Sequence, residues 1–354
     1  MGKTAVIFSP LYYRHRTGRN HPESARRLRA IVEELKKDKI SGNGKWQFIH
    51  PNKAPATYVQ LVHGLEYIKL VEAVCKSGGG LLDLGDTMTS RESFEVALYA
   101  VGGALKAVDL VMEKKFENAF AVVRPPGHHA GRFRACGFCI FNNVAIAAEY
   151  LIRKFKLGKI AILDIDAHHG NGTQEVFYKT NKVLYVSIHE DPRSFPGTGF
   201  IDEIGEGEGL GYNINVPLPF GTTDQIFLRA LDEIVLPAVR EYEPQFVLVS
   251  AGLDGHYTDP VGNLSLSALC YEKAFETIMK LTSDTCEGKL VAVLEGGYSL
   301  NFVGKIATAA IAEISGANYA LNDKVLTASK GVRLQGEKAI EKVKKVLRSF
   351  EHTA

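Results

Sequence analysis

Lys159-Ile160-Ala161-Ile162-Leu163-Asp164-Ile165-Asp166-Ala167-His168-His169-Gly170-Asn171 is the stretch on which the architecture turns. A short apolar run ending at once in charged and small residues predicts a strand over Lys159–Ile165, buried on both faces, with a polar rim at its carboxyl end. In an extended segment residues i, i+2 and i+4 point the same way, so Asp164, Asp166 and His168 are expected to line one side of that end. Two carboxylates and an imidazole converging there repel unless a cation sits between them. The bland alternative is a solvated strand tip.

Working outward, similar runs at Thr4–Phe8, Ala119–Val123, Val183–Ile188, Phe246–Ser250 and Leu290–Leu294 alternate with helical patterns. Those patterns lie at Pro22–Lys37, Ser90–Met112, Asn142–Phe155, Thr222–Glu241, Ser265–Leu281 and Val303–Ile314. The alternation predicts an α/β fold, three layers α/β/α around a mostly parallel central sheet. No fixed-period repeat and no Pro- or Ser-rich linker divides the chain, so residues 1–354 are expected to form a single domain. From Gly336 to Phe350 the sequence places Ile340, Val343, Val346 and Leu347 on one face among lysines. That stripe predicts a docked C-terminal helix rather than a membrane or partner helix.

The chain has 354 residues, 45% hydrophobic and 23% charged, with 34 Gly and 13 Pro; disorder, collagen and coiled coil are excluded. Formal net charge is +2, so the strongly basic footprint of a nucleic-acid binder is missing. Ala5-Val6-Ile7-Phe8 is too short for a signal peptide, and no run approaches the ~18 apolar residues of a transmembrane helix. The expected location is cytoplasmic, or nuclear in a host with a nucleus. Five cysteines (Cys75, Cys136, Cys139, Cys270, Cys286) suit a reducing compartment better than a disulfide framework. Gly205 to Gly211 and Gly78-Gly79-Gly80 lack dinucleotide-loop spacing and read as loops.

Ligands collect at the carboxyl ends of strands in open α/β sheets, and three further ends are unusually polar. They are Arg124-Pro125-Pro126-Gly127-His128-His129, Ser250-Ala251-Gly252-Leu253-Asp254-Gly255-His256 and Leu294-Glu295-Gly296-Gly297-Tyr298. Four polar clusters on one rim are hard to explain as surface. An Asp, a His and a further Asp suit Zn²⁺ with open positions and also tolerate Fe²⁺, Mn²⁺ or Co²⁺. A bound metal lowers the pKa of its water and polarises a carbonyl, so the neighbouring His pair and Tyr read as the proton-transfer and oxyanion groups of a hydrolase.

With these residues on the page, the sequence resembles the metal-dependent histone deacetylase and acetylpolyamine amidohydrolase superfamily, which shares the arginase-deacetylase fold. The likeness runs in the family's order from His21-Pro22-Glu23, through the quoted clusters and Phe195-Pro196-Gly197-Thr198-Gly199, to Glu295-Gly296-Gly297-Tyr298.

The resemblance implies that Asp166, His168 and Asp254 are zinc ligands, that His128 and His129 are the tandem active-site histidines, and that Tyr298 donates to the substrate carbonyl oxygen. It places Asp164 behind His128 and Asn171 behind His129, where Asn is the class II-like choice. It further implies structural potassium at Asp164, Asp166, His168, Ser187 and Ile188, and a second potassium at Phe177, Thr180, Val183 and Tyr212. Phe138 and Phe195 would wall a substrate tunnel, with Gly137 in the loop against it and Asp86 at its rim. Arg27 matches a buried arginine of an acetate-release channel, although a helix-surface salt bridge is an equal reading of the residue by itself. Cys136-Gly137-Phe138-Cys139 has no second Cys pair to complete a zinc site and reads as structural thiols. His169, His189 and His256 are expected to support loops.

The implied reaction is hydrolysis of an N-acetyl amide to acetate and amine, with an acetylated lysine of a peptide or protein, or an acetylated small amine, as substrate. No nucleic acid or membrane is expected as partner. Three rivals stand beside it: an acetylpolyamine amidohydrolase, a dimanganese ureohydrolase, and an inactive acetyl-lysine-binding module. Polyamine-selective relatives place an acidic residue at the position of Val261, so the apolar side chain favours acyl-lysine.

Overall fold

Runs of consecutive apolar residues can be buried only if both faces of their sheet are covered, and the chain meets that condition with eight parallel strands among the described residues. A computed structural model describes residues 3–37 and 44–351. In chain order the strands are β1 (Thr4–Ile7), β2 (Trp46–Ile49), β3 (Asn118–Ala121), β4 (Ile160–Asp164), β5 (Val183–Glu190), β6 (Asn213–Leu218), β7 (Phe246–Ala251) and β8 (Leu290–Leu294). They pair in the order β2-β1-β3-β8-β7-β4-β5-β6. Strands β1, β3, β4, β5, β7 and β8 are buried at every position.

The longer helices are α1 (Ala25–Leu35), α2 (Leu65–Lys76), α3 (Ser93–Met112), α4 (Asn143–Phe155), α5 (Ala268–Cys286), α6 (Val303–Ser315) and α7 (Lys330–Glu351). One layer is the contiguous row α1, α6 and α5, and the other is built on α3 packed against α4. Local chemistry sets their ends. Asn142 accepts the Ala145 N–H at 3.0 Å to start α4, and Ser267 accepts that of Cys270 at 3.2 Å to start α5. Gly316, at φ +64, closes α6 in the left-handed conformation that glycine adopts without a Cβ clash. Among the described residues no helix is long and apolar enough to cross a membrane.

The α/β expectation holds, with corrections at the margins. Residues 222–241, expected as one helix, form Asp224–Ala230 and Leu236–Tyr242 joined by a π-helical turn at Leu231–Val235. The edge strands β2 and β6 were not expected. β2 is only half-buried, while β6 carries Asn213 and Asn215, whose amides donate to Gln174 at 2.8 Å, and Pro217, which the open side of an edge strand tolerates. The C-terminal helix starts at Lys330, earlier than the sequence stripe suggested. It packs on β6 with Ile340 and Val343 buried and Val346 and Leu347 half-buried. All five cysteines are free thiols.

The four strands with polar carboxyl ends, β3, β8, β7 and β4, are consecutive neighbours in the sheet. That adjacency gathers residues from distant parts of the chain onto one rim.

Candidate active site

Strand β4 ends at Asp164 and the chain then bends, so simple strand alternation does not carry through to His168. The bend is held by side-chain acceptors: Asp164 Oδ1 takes the Asp166 N–H at 3.2 Å, and Asp166 Oδ1 takes that of His168 at 2.9 Å. Asp166 and His168 thereby turn toward Asp254, which arrives on the loop after β7. His168 Nδ1 lies 2.9 Å from Asp254 Oδ2 and 3.2 Å from Asp166 Oδ1. One ligand atom from each of these three buried residues lies within 4.8 Å of the others. Asp164 turns away instead, and its Oδ2 meets His128 Nδ1 and the Tyr185 hydroxyl, each at 3.1 Å.

Two glycines make the convergence possible. A Cβ on Gly252 would sit 2.1 Å from Asp166 Oδ2, and one on Gly296 would sit 2.5 Å from Asp254 Oδ2 and 2.6 Å from Asp166 Oδ2. The Gly296 N–H also donates to Asp166 Oδ2 at 2.8 Å, and Asp254 Oδ1 accepts the Ala167 N–H at 2.8 Å. Two carboxylates this close, out of water, form an electrostatic well for a cation. Burial and the Asp166 charge both raise the pKa of Asp254, whereas His128 and His168 overcome burial to hold Asp166 low.

His128 and His129 stand with ring centroids 3.9 Å apart, and their partners differ. His129 Nδ1 lies 2.8 Å from Asn171 Oδ1, an acceptor, so that nitrogen carries the proton and Nε2 is left with a lone pair. Burial opposes charge on His128, but the Asp166 and Asp164 carboxylates prevail and bring its pKa up to about 10. Burial and the charge on His128 hold His129 well below its usual value. The two rings are thus pushed in opposite directions by their partners. Behind them Glu295 Oε2 accepts the N–H groups of Gly127 at 2.6 Å and His128 at 3.2 Å. Burial, opposed by His128, pushes Glu295 up to about 7. Glu295 also belongs to a second buried group with His128 and Cys139.

Tyr298 is 8% exposed. Its ring meets Phe138 edge-on at 5.6 Å, and Phe138 meets His21 at 4.7 Å. Across the site Phe195 packs edge-on to His129 at 5.0 Å and to His168 at 5.9 Å. Phe138 thus borders the tyrosine and Phe195 the histidines. Gly137, at φ +52, lies flat on His129, and a Cβ there would come within 2.4 Å of the ring. Thr87 Oγ1 accepts the Phe138 N–H at 3.1 Å, docking the 83–87 loop beside the phenylalanine. On that loop Asp86 is exposed, and its carbonyl lies 3.0 Å from His21 Nε2. Partial shielding of the carboxyl from water and the neighbouring Asp83 charge, opposed by His21, raise the pKa of Asp86. Val261 is half-buried, and its N–H donates to Asp259 Oδ1 at 3.0 Å.

The expected potassium residues fall into two places. Ser187 pairs with Asp164 across the β4–β5 register, with Ile188 next to it. Phe177 and Thr180 share a turn, the Thr180 N–H donating to the Phe177 carbonyl at 3.2 Å, just before Val183 opens β5. The Tyr212 carbonyl accepts the Tyr185 N–H at 3.0 Å on the same strand.

Arg27 is fully buried, which removes the surface-salt-bridge reading. Its Nε donates to the Gly297 carbonyl at 2.6 Å, Nη2 donates to the Glu295 carbonyl, Nη1 donates to Glu23 at 3.1 Å, and the guanidinium lies 4.7 Å from the Tyr298 ring centroid. Glu23 also accepts from Arg124 Nε at 2.6 Å and faces His15 Nε2 at 3.5 Å. Burial raises the Glu23 pKa, but Arg124, His15 and Arg27 outweigh it and hold the carboxyl at about 2. Burial and Arg124 hold His15 at about 3. Both folded values lie below the ordinary 4.5 and 6.5 of the free side chains, so both groups contribute stability above those values and lose it as pH falls. The melting temperature is expected to fall as the pH is lowered from about 6.5 toward 2. Glu23→Gln should melt lower at pH 7 and show a shallower slope between about pH 4.5 and 2 in thermal scans; an unchanged slope would remove Glu23 from this account.

Glu295, Tyr185, Asp259 and Gly252 also build the site, with no role assigned to any of them by the sequence reading. For Glu295 a signal was available, since it directly precedes the glycine pair before Tyr298.

Residues 21–314 match the family described as histone deacetylase domain. A probable deacetylase from Archaeoglobus fulgidus is 43% identical over 297 residues, 84% of this chain and 82% of that protein. Histone deacetylase 8 of Arabidopsis thaliana is 39% identical over 80% of this chain and 75% of its own length. The histone deacetylase-like amidohydrolase of Pseudomonas aeruginosa is 35% identical over 85% and 78%. The crystal structure of the HDA15 HD domain superposes with a TM-score of 0.87 at 32% identity, over 98% of this chain and 96% of that one.

Proposed function

The chain belongs to the histone deacetylase family, and from that premise we propose that it is a zinc-dependent deacetylase hydrolysing N-acetyl amides, with acetyl-lysine in peptides or proteins as substrate. The observation that carries this reading is the meeting of the Asp166–His168–Asp254 group, the His128–His129 pair and Tyr298 on one rim. Residues 1–354 act in this reading as one catalytic unit.

The donor set fits a divalent ion, because two carboxylates and an imidazole are buried together over glycines with no Cβ to fill the space. When bound there, zinc supplies Lewis-acid polarisation of the amide carbonyl and a water of lowered pKa; Fe²⁺, Mn²⁺ or Co²⁺ could serve the same ligands. His129, its Nδ1–H committed to Asn171, presents Nε2 to take a proton from the attacking water and return it to the leaving nitrogen. His128, paired with Asp164, contributes positive charge. The Tyr298 hydroxyl donates to the carbonyl oxygen as negative charge develops on it. Phe138 and Phe195 take the apolar stem of the substrate and exclude water, with Gly137 and Asp86 at the mouth. Potassium at Asp164, Asp166, His168, Ser187 and Ile188, and a second at Phe177, Thr180, Val183 and Tyr212, would be structural.

One metal is favoured over two, since the spare carboxylates beside the group are engaged: Asp164 by His128, Tyr185 and the Asp166 N–H, and Glu190 by the backbone N–H and side-chain amide of Asn263. Gly296→Ala is expected to force the two ligand carboxylates apart and weaken metal affinity by roughly 10–100-fold, read by competition with a chromogenic chelator. Unchanged affinity would mean that these carboxylates do not share an ion.

Substrate class is tested by kcat/KM of the zinc-loaded protein on an acetyl-lysine peptide and on N-acetylputrescine, against a Tyr298→Phe background. Val261, apolar at the position where polyamine-selective relatives are acidic, favours the peptide. A preference of about tenfold or more, about 1.4 kcal/mol of transition-state binding, is expected for it. The reverse preference would make the protein an acetylpolyamine amidohydrolase, and no turnover of either would sink the deacetylase reading.

A further inference from the structure

Between α6 and α7, residues 318–329 run without helix or strand, beyond the stretch that matches the family. From this run Asp323 turns inward, its side chain 1% exposed. Its Oδ2 accepts the Ala268 N–H at the start of α5, at 2.7 Å, and lies 2.9 Å from His256 Nε2. Its Oδ1 accepts from the Tyr257 hydroxyl at 2.9 Å and from the Lys324 N–H at 2.7 Å.

The remaining contacts of His256 fix its tautomer. The Thr258 N–H points at Nδ1 from 3.2 Å, so Nδ1 is the acceptor and Nε2–H donates to Asp323. The Thr258 hydroxyl lies 2.9 Å from the same Nδ1 and 2.6 Å from Ser299 Oγ. With Nδ1 as acceptor, its lone pair is shared by the Thr258 N–H and hydroxyl; the directions that follow are Ser299 donating to Thr258, Thr258 to His256, and His256 to Asp323. Phe302 stacks on the imidazole at 4.3 Å and holds its plane.

Ser299 follows Tyr298 directly. Upstream of the tyrosine the chain is Gly296-Gly297, with Gly297 at φ +116, so no side chain on that pair steers the ring. Backbone bonds hold the segment: Asp259 Oδ2 accepts the N–H groups of Tyr298 at 2.6 Å and Ser299 at 2.9 Å. Ser299 is the adjacent side chain with a polar anchor, and that anchor ends at Asp323. An oxyanion donor must be held to about 0.5 Å to act.

We propose that Asp323 is a positioning residue for Tyr298, acting through His256, Thr258 and Ser299, so that the segment beyond the family match tunes the reaction. The proposal rests on the deacetylase reading for its kinetic consequence, but its geometric content can be tested without catalysis.

Because Asp323 also caps α5, Thr258→Val is the decisive variant: it cuts the chain and leaves the Asp323–His256 bond and the cap in place. Thr258→Val and Asp323→Ala are each expected to lower kcat on the acetyl-lysine peptide about tenfold with KM within about twofold, less than loss of the tyrosine hydroxyl itself. In a Tyr298→Phe background neither should lower kcat further, a result that general destabilisation would not produce. In metal-free protein, amide hydrogen exchange over residues 296–302 should quicken in both variants. An unchanged kcat for Thr258→Val in active protein, or a tenfold loss that persists beside Tyr298→Phe, overturns the proposal. So does unchanged exchange of the segment, and that outcome stands whether or not the wild type turns over. An inactive wild type with quickened exchange in the variants would instead overturn the deacetylase reading and leave the positioning chain supported.

Discussion

Tyr298→Phe is expected to lower kcat by on the order of 10²–10³, the usual cost of removing one oxyanion donor, while metal content stays at the wild-type level. The substitution deletes one oxygen and keeps the ring, so the edge-on contact with Phe138 and the Arg27 guanidinium over the ring both survive. Burial raises the hydroxyl's pKa well above its ordinary value, against the opposing pull of Arg27, and the group is held as a neutral donor. A donor that acts only as charge develops on the carbonyl oxygen lowers kcat when lost and leaves KM nearly unchanged. Near wild-type kcat on the acetyl-lysine peptide would remove Tyr298 from the mechanism.

Asp254→Asn carries the other large effect. The amide oxygen can still accept the Ala167 N–H that the carboxylate accepts at 2.8 Å, so the loop keeps its anchor and only the charge is lost. Metal content is expected to fall from about one ion per chain to a small fraction, and activity by on the order of 10³ or more, because Lewis-acid stabilisation is worth several kcal/mol. The stability consequence has the opposite sign in metal-free protein. There Asp166 and Asp254 are buried like charges, and neutralising one relieves both repulsion and desolvation. Metal-free Asp254→Asn should therefore melt at or above metal-free wild type, while added zinc raises the melting temperature of the wild type alone. Full metal content in the variant, or stabilisation of it by zinc equal to that of wild type, would mean that the ion sits elsewhere.

The sequence by itself determined the fold class and most of the rim. An apolar run such as Ile160–Leu163 can be satisfied only between two helical layers, and the polar residues after it have one place to go, the carboxyl end of the strand. Asp166, His168, Asp254, the His128–His129 pair and Tyr298 are legible because each lies in the short polar stretch that follows such a run.

The tertiary structure decided what local pattern cannot encode. Strand order is one example: β3 pairs with β8, Asn118 opposite Leu290, and β4 with β7, Ile160 opposite Phe246. Those pairings, set by how helical layers pack rather than by any residue's neighbours in sequence, bring the four polar ends side by side. The edge strand β6 is not legible in the sequence because Asn213 and Asn215 are typical loop residues, and only in the folded chain does Gln174 accept from both. Arg27 was ambiguous on a helix viewed alone, and burial against the carbonyls of Glu295 and Gly297 resolves it. Asp164 and Asp166 are two residues apart and alike in sequence. The bend after β4 gives one to His128 and the other to His168, since a carboxylate's role is set by the partners that reach it through space, and those partners come from other strands.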